Sequence, residues 1–169
     1  MRHRNADLVV VGGGLAGVAA ALEAADGGTS VLLLEKMAEL GGSSALSGGC
    51  LAFAGTDLQQ AQGIEDSDDL LFSDLREVGA FENDEHIVRA YVAHQLDTYQ
   101  WLRRQGVEFS PVIEVSSGQS VPRVHTVDPA DVVRLLARRA RATGRVEILT
   151  GMSVRRLLRD STGERVEGV

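Results

Sequence analysis

The chain has 169 residues, 44% of them apolar, and a net charge of −7 at pH 7. That length supports one compact core and argues against two. The acidic balance speaks against a general nucleic-acid binder, which needs a basic surface to displace counterions from phosphates, and no apolar run approaches the ~20 residues that span a bilayer.

In chain order, Met1-Arg2-His3-Arg4-Asn5 leads toward a strand and not into the apolar stretch of a secretion signal, so the cytoplasm is the expected compartment. Asp7 to Val11 is a short apolar run without alternation, the pattern of a parallel strand covered on both faces. It stops at three glycines. Leu15 to Asp26, rich in Ala and Leu, predicts a helix closed by Gly27-Gly28, and Ser30 to Leu34 predicts a second buried strand ending at Glu35. Gly41 to Gly55, full of Gly, Ser and Ala, reads as a loop that hugs a ligand. Cys50 is the single cysteine, so no internal disulfide forms; it has no His or Cys partner at metal spacing and is expected to be a small packed side chain, with no metal site.

Asp66 to Val78 predicts a helix with Asp66, Asp68 and Asp69 in the first turn, where the helix dipole favours them; this cluster reads as a helix start and not as a metal site. Asp84 to Gln105 predicts a longer amphipathic helix, apolar through Ile87, Tyr91, Leu96 and Trp101 and capped by Gly106, with Trp101 as a core anchor. Ser110 to Thr126 has no clear period and is expected to be an exposed excursion with some β pairing. Asp128-Pro129 starts a helix running to about Ala142, with Val132, Val133, Leu135, Leu136 and Ala140 as its apolar stripe and Arg134, Arg138, Arg139 and Arg141 on its solvated side. Val146 to Thr150, Ser153 to Arg159 and Arg165 to Val169 predict strands joined by turns, a small β-meander. His3, His86 and His94 have no motif around them.

Gly12-Gly13-Gly14-Leu15-Ala16-Gly17 satisfies G-x-G-x-x-G directly after a predicted strand and directly before a predicted helix, the context that gives this motif its meaning. Gly12 permits the tight turn, Gly14 lets a pyrophosphate approach the backbone, and Gly17 lets helix and strand pack closely. The anion then meets free N–H groups at a helix N-terminus. Glu35, at the end of the second strand, is placed to accept hydrogen bonds from both ribose hydroxyls, and a 2′-phosphate is repelled there. The βαβ unit by itself does not separate NAD from FAD.

The segment that follows does. Glu35-Lys36-Met37-Ala38-Glu39-Leu40-Gly41-Gly42-Ser43-Ser44-Ala45-Leu46-Ser47-Gly48-Gly49 resembles the flavoproteins of the fumarate reductase and succinate dehydrogenase superfamily. The resemblance continues through Gly55-Thr56-Asp57-Leu58-Gln59-Gln60, Trp101-Leu102, Gly106-Val107, Ser120-Val121-Pro122-Arg123-Val124-His125 and Arg165 to Val169, and related steroid dehydrogenases share much of it. It implies an α/β, Rossmann-like FAD-binding domain over residues 1–169, incomplete, in which the first Gly-Gly-Ser stretch passes the pyrophosphate and the second Gly-Gly lies near the isoalloxazine ring. The implied cofactor residues are Gly12, Gly14, Leu15, Ala16 and Gly17; Glu35 and Lys36; Gly41, Gly42, Ser43 and Ser44; Gly48 and Gly49; and Val154. Arg123 and His125 are implied to lie near flavin or substrate, the alternative being a surface turn with Arg123 paired to a carboxylate.

Two departures bear on function. Gly42 stands where covalently flavinylated relatives carry histidine, so FAD is expected to bind noncovalently. The chain also stops before the Ala-Thr-Gly segment that completes the site, before the substrate-capping domain and before the arginine that donates a proton in fumarate reductases. No catalytic acid or base is therefore assigned. The resemblance implies an FAD-dependent oxidoreductase acting on a carbon–carbon bond next to a carbonyl or carboxylate of a small-molecule substrate. A 3-ketosteroid dehydrogenase type, or a nucleotide-binding module without turnover of its own, is the other reading. Partners are expected to exclude nucleic acid and a membrane span, and to include the remainder of a longer polypeptide. Without those further layers, Val31, Leu33 and Leu136 are expected to be partly uncovered.

Overall fold

A computed structural model describes residues 4–169; His3 lies outside the described residues. The elements run β1 (Leu8–Val11), α1 (Leu15–Asp26), β2 (Val31–Leu34), α2 (Gly42–Ala45), β3 (Cys50–Ala52), α3 (Asp57–Ala61) and α4 (Asp68–Val78). Next come α5 (Glu85–Arg104), β4 (Ile113–Glu114), β5 (Val124–Thr126), α6 (Pro129–Ala142), β6 (Val146–Leu149), β7 (Leu158–Arg159) and β8 (Val166–Gly168). Where length suggests one domain, the chain divides into two compact units, residues 1–47 with 128–169 and residues 48–127, because the inserted segment builds a sheet and core of its own.

The first unit is a parallel sheet in the order β1-β2-β6, with Leu8 and Val146 both in register with Val31. β2 is central, and all four of its residues are buried, as its unbroken apolar run requires. α1 buries Val18, Ala21, Leu22 and Ala25, and α6 buries Val132, Val133, Leu136, Ala137 and Ala140; the two helices pack on each other and on the sheet. Asp128 caps α6 by accepting from the Asp131 N–H, with Pro129 at the first turn. The arginines Arg134, Arg138, Arg139 and Arg141 are exposed. Val31, Leu33 and Leu136 are at most 2% exposed, so the expectation that they are uncovered is wrong: α1 and α6 already seal them. β1 and β6 are the edge strands, and on β1 Leu8 and Val11 are exposed. β6 joins the parallel sheet, and of the expected meander only the antiparallel pair β7-β8 forms. Ser153, Arg155, Arg156 and Leu157 are exposed and have no face to bury as a strand.

The second unit holds an antiparallel sheet in the order β3-β5-β4 beside α3, α4 and α5. The Gly/Ser/Ala-rich segment 41–55 is more regular than a loop, contributing α2 to the first unit and β3 to the second. Cys50 is exposed at the start of β3, contrary to the packed side chain expected. α3 is a helix that composition did not announce, although Thr56-x-x-Gln59 is a capping box that closes here. α4 begins at Asp68 with Ser67 as its N-cap, leaving Asp66 outside the helix. In α5 the buried residues are Val88, Gln95, Tyr99 and Leu102, while Ile87 and Tyr91 are exposed and Trp101 is half-buried. The expected face is therefore rotated. The reason is Gln95, whose side-chain amide clamps both backbone groups of Ala54, at 2.9 and 3.1 Å, and draws a polar residue into the core. Among the described residues no helix is long and apolar enough to cross a membrane.

Leu136 is fully buried, so Leu136→Ala is expected to cost about 2–5 kcal/mol through lost transfer energy and the cavity left behind. Urea unfolding with an unchanged m-value and a lowered midpoint would register it.

Candidate functional site

β1 delivers the chain to Gly12, whose φ of +105° lies where side chains rarely go. Its N–H donates to the Leu34 carbonyl at 2.8 Å, tying the turn to the end of β2. Gly13 and Gly17 are glycine for want of room. A Cβ on Gly13 would stand 2.4 Å from Leu40 Cδ2, and one on Gly17 would stand 2.0 Å from the Gly12 carbonyl oxygen, the close approach that lets α1 lie against β1.

Gly14 is different. Its φ of −73° and ψ of 179° suit any residue, and a Cβ there would meet only Ser44 Oγ at 3.5 Å and the Gly41 carbonyl oxygen at 3.7 Å. Neither backbone conformation nor packing requires glycine at this position, although a helix N-cap favours it over larger apolar residues; a ligand passing close to the backbone would require it. Gly14 is also the N-cap of α1, which has no side-chain cap and no acidic residue in its first turn. The Leu15 N–H donates to Ser44 Oγ at 3.2 Å, and the positive end of the helix dipole stands at this turn with no side-chain cap.

Glu35 closes the other side of this turn. Its Oε2 accepts from the Gly13 N–H at 2.7 Å and its Oε1 from the Met37 N–H at 2.8 Å. These bonds, Met37 first and Gly13 second, hold the carboxyl below the usual carboxylate range against the opposing effect of burial. A carboxylate has about four acceptor positions, so two remain for hydroxyl donors. Gly41 docks on the same turn, its N–H donating to the Gly13 carbonyl at 2.8 Å, and α2 follows with Gly42 and Ser43 exposed.

The structure thus gathers Gly12, Gly14, Leu15, Ala16, Gly17, Glu35, Gly41 and Ser44 around one turn, with Lys36 exposed beside it. Val154 is half-buried two residues after Met152, whose N–H donates to the Glu35 carbonyl at 2.8 Å. Gly48 and Gly49 belong to the second unit and lead into β3. The sequence reading misses the Gly13 and Met37 amides as partners of Glu35, since any residue type supplies a backbone N–H.

In the second unit Arg123 and His125 are fully buried. Arg123 Nε and Nη2 donate to the two carboxylate oxygens of Asp66, both at 2.7 Å, and Nη1 donates to Asp74. Asp74 also accepts from the Ser120 N–H at 2.8 Å and hydroxyl at 2.6 Å. Burial works to raise Asp74, but the bonds from Ser120 and Arg123 outweigh it and hold the group low. Arg123 therefore has the carboxylate pairing of a structural residue, not in a surface turn but in the core, and presents nothing to a ligand. His125 Nδ1 lies 2.7 Å from the Arg123 carbonyl oxygen, so that nitrogen carries the proton, and Nε2 accepts from the Thr56 hydroxyl at 2.8 Å. Rings of Phe53, Tyr99 and Phe109 surround it, and burial pushes its pKa down. His86 and His94 are exposed on α5. Among the described residues no group of three or more His, Cys, Asp or Glu is placed to hold a metal ion.

Residues 7–169 match the FAD binding domain family. The fumarate reductase (cytochrome) of Shewanella frigidimarina is 38% identical over 123 residues, covering 73% of this chain and 21% of that protein. The chain thus spans about a fifth of this relative's length. The open conformation of a flavocytochrome c3 fumarate reductase superposes with a TM-score of 0.85 at 28% identity, covering 92% of this chain and 28% of that one. A 3-ketosteroid-Δ4-(5α)-dehydrogenase from Rhodococcus jostii RHA1 superposes with a TM-score of 0.81 at 29% identity, covering 95% and 40%.

Gly17→Ala is expected to destabilise by about 1–3 kcal/mol or more, since backbone must move to admit the methyl group. Gly14→Ala should cost less, about 1 kcal/mol at most, the preference of an N-cap for glycine over alanine. A second expectation concerns pH. His125 has a folded pKa below its ordinary ~6.5, so its neutral form is fully accommodated above that pH, and stability falls as pH drops toward the depressed value. Urea midpoints should decline between about pH 7 and 5, and His125→Gln should flatten that decline while lowering the starting value.

Proposed function

The chain belongs to the FAD binding domain family, and from that premise we propose that it is the FAD-holding part of an oxidoreductase acting on a carbon–carbon bond next to a carbonyl or carboxylate. When bound, FAD supplies the redox chemistry, exchanging a hydride at N5 with a carbon of that bond. The observation that carries the reading is Gly14, a glycine that neither conformation nor packing within the chain demands, at the uncapped N-terminus of a helix.

The roles of the chain's residues follow from the geometry of the first unit. The open N–H groups of the first turn of α1 receive the pyrophosphate, and the backbone at Gly14 lies bare for its approach. Glu35, ionised and fixed by two amides, accepts from both ribose hydroxyls with its remaining positions and repels a 2′-phosphate. Ser44, now bonded to the Leu15 N–H, borders the same place and can donate its hydroxyl proton to a phosphate oxygen. FAD is held noncovalently, because Gly42 offers no side chain for attachment. A steroid-type substrate is the second reading, supported by the 3-ketosteroid dehydrogenase superposed over 95% of this chain.

Calorimetric titration with FAD tests the reading. Gly14→Val should weaken binding at least tenfold at a temperature where both proteins are folded, and Glu35→Ala should weaken it by about 1.5–3 kcal/mol per ribose bond lost. Denaturation followed by ultrafiltration should carry the yellow colour into the filtrate. Equal FAD affinity in parent and Gly14→Val would remove the glycine turn from the site.

A further inference from the structure

A closed ring of hydrogen bonds in the second unit passes through His125, the one buried histidine among the described residues. His125 Nδ1–H donates to the Arg123 carbonyl at 2.7 Å, and the Arg123 guanidinium donates to Asp66. Asp66 accepts from the Gln59 side-chain amide at 2.9 Å. Gln59 then forms the capping box of α3 with Thr56: its N–H donates to Thr56 Oγ1 at 3.1 Å, and its Oε1 accepts from the Thr56 N–H at 3.1 Å. The Thr56 hydroxyl closes the ring by donating to His125 Nε2 at 2.8 Å. Thr56, Gln59, Arg123 and His125 are all fully buried.

The ring holds its protons in one arrangement. Thr56 Oγ1 accepts from the Gln59 N–H and gives its own proton to Nε2, which has to be bare. A second proton on His125 puts hydrogens on both sides of that contact. The hydroxyl must then turn toward Gln59 Oε1, 3.5 Å away and already holding the Thr56 N–H. An O–H···O bond is ordinarily about 2.7–2.8 Å long, so making it shifts Thr56 against Gln59, the residues that start α3. Burial among Phe53, Tyr99 and Phe109 opposes the cation and outweighs Asp57 on α3 and Asp66 ahead of α4, which favour it. Of the other nearby charges, Arg123 is matched by Asp66 and by Asp74 of α4, and Arg103 of α5 pairs with Asp57. Leu51 of β3 and Ile113 of β4, in register with His125, carry no charge.

We propose that this ring is an acid-operated latch: proton uptake at His125 Nε2 reverses the bond with the Thr56 hydroxyl and frees the start of α3 from β5, while the rest of the second unit stays folded. The proton comes from solvent and remains on the imidazole, and no covalent bond changes. The opening is local because α3 has five residues and buries only Gln59 among them, which puts it at the low end of local stability. In the opened form water reaches His125 and returns it toward its ordinary pKa of ~6.5, so the opened form binds the proton more tightly and acid drives opening. Above that pH the latch is closed and insensitive. Below it the opening constant rises by up to about tenfold per pH unit, until the lower pKa of the closed form is reached.

The test measures amide hydrogen exchange of the 169-residue chain between about pH 7.5 and 5.5, corrected for intrinsic rates, beside the imidazole chemical shifts of His125. The Gln59 and Gln60 amides should lose protection about tenfold, with a midpoint that follows His125, while the amides of α4 and α5 keep theirs. Thr56→Ser should retain this response, and His125→Gln should make Gln59 protection independent of pH. If melting shows that His125→Gln is not folded, the contrast of α3 with α4 and α5 in the parent decides. Gln59 protection that ignores pH while His125 titrates, or a loss shared equally by α3, α4 and α5, overturns the latch. So does a His125 that stays neutral throughout, or a folded His125→Gln that keeps the response.

Discussion

The first unit depends on the Glu35 carboxylate. It is nearly buried at the end of the central strand, and it accepts the Gly13 and Met37 amides while the backbone of the same residue bonds to Leu149 and Met152. One residue therefore joins the glycine turn, the end of β2 and the chain leaving β6. Hydrogen bonds to a charged group contribute about 1.5–3 kcal/mol each, which offsets the cost of removing the charge from water. The same bonds keep the carboxyl ionised, so the group that sets the shape of the turn is also the acceptor proposed above for the ribose.

The glycines around that turn separate by cause. Gly12 answers to backbone conformation, Gly13 and Gly17 to crowding, and Gly41 to both, with its φ of +125° and a Cβ that would fall 2.6 Å from Ala45 Cβ. Gly14 answers to neither, and it stands at the boundary between the glycine turn and α1. That is where a planar or anionic ligand gains most from bare backbone.

The second unit is organised by a buried Arg123 between Asp66 and Asp74. Charges so placed stabilise little compared with apolar packing of the same volume, yet removing one partner leaves an uncompensated charge and costs about 3–5 kcal/mol. The arrangement fixes geometry: it ties the residue before β5 to the approach to α4, at Asp66, and to the middle of that helix, at Asp74. Beside it, His125 is held neutral by burial and by the fixed roles of its two nitrogens. At the end of β5, the Thr126 hydroxyl is the buried side-chain group without a hydrogen-bond partner among the described residues.

The βαβ unit was legible in the sequence because its determinants are local. An unbroken apolar run, a glycine turn, an Ala-rich helix and a terminal carboxylate follow one another within a short span, and α1 and α6 form over the residues that periodicity and the Asp128-Pro129 start signal indicate. What the tertiary structure decided depends on contacts between residues distant in the chain. Arg123 meets Asp66 and Asp74 across 57 and 49 residues, and no spacing announces such a pair. Gln95 entered the core because Ala54 offered two backbone partners, and the buried face of α5 turns away from Ile87 and Tyr91. The exposure of Cys50, the shortening of the strand expected over Ser153–Arg159 to β7, and the distinction between glycines set by conformation and glycines set by crowding also came from the structure. Each depends on what lies across space from a residue, and sequence order does not carry that.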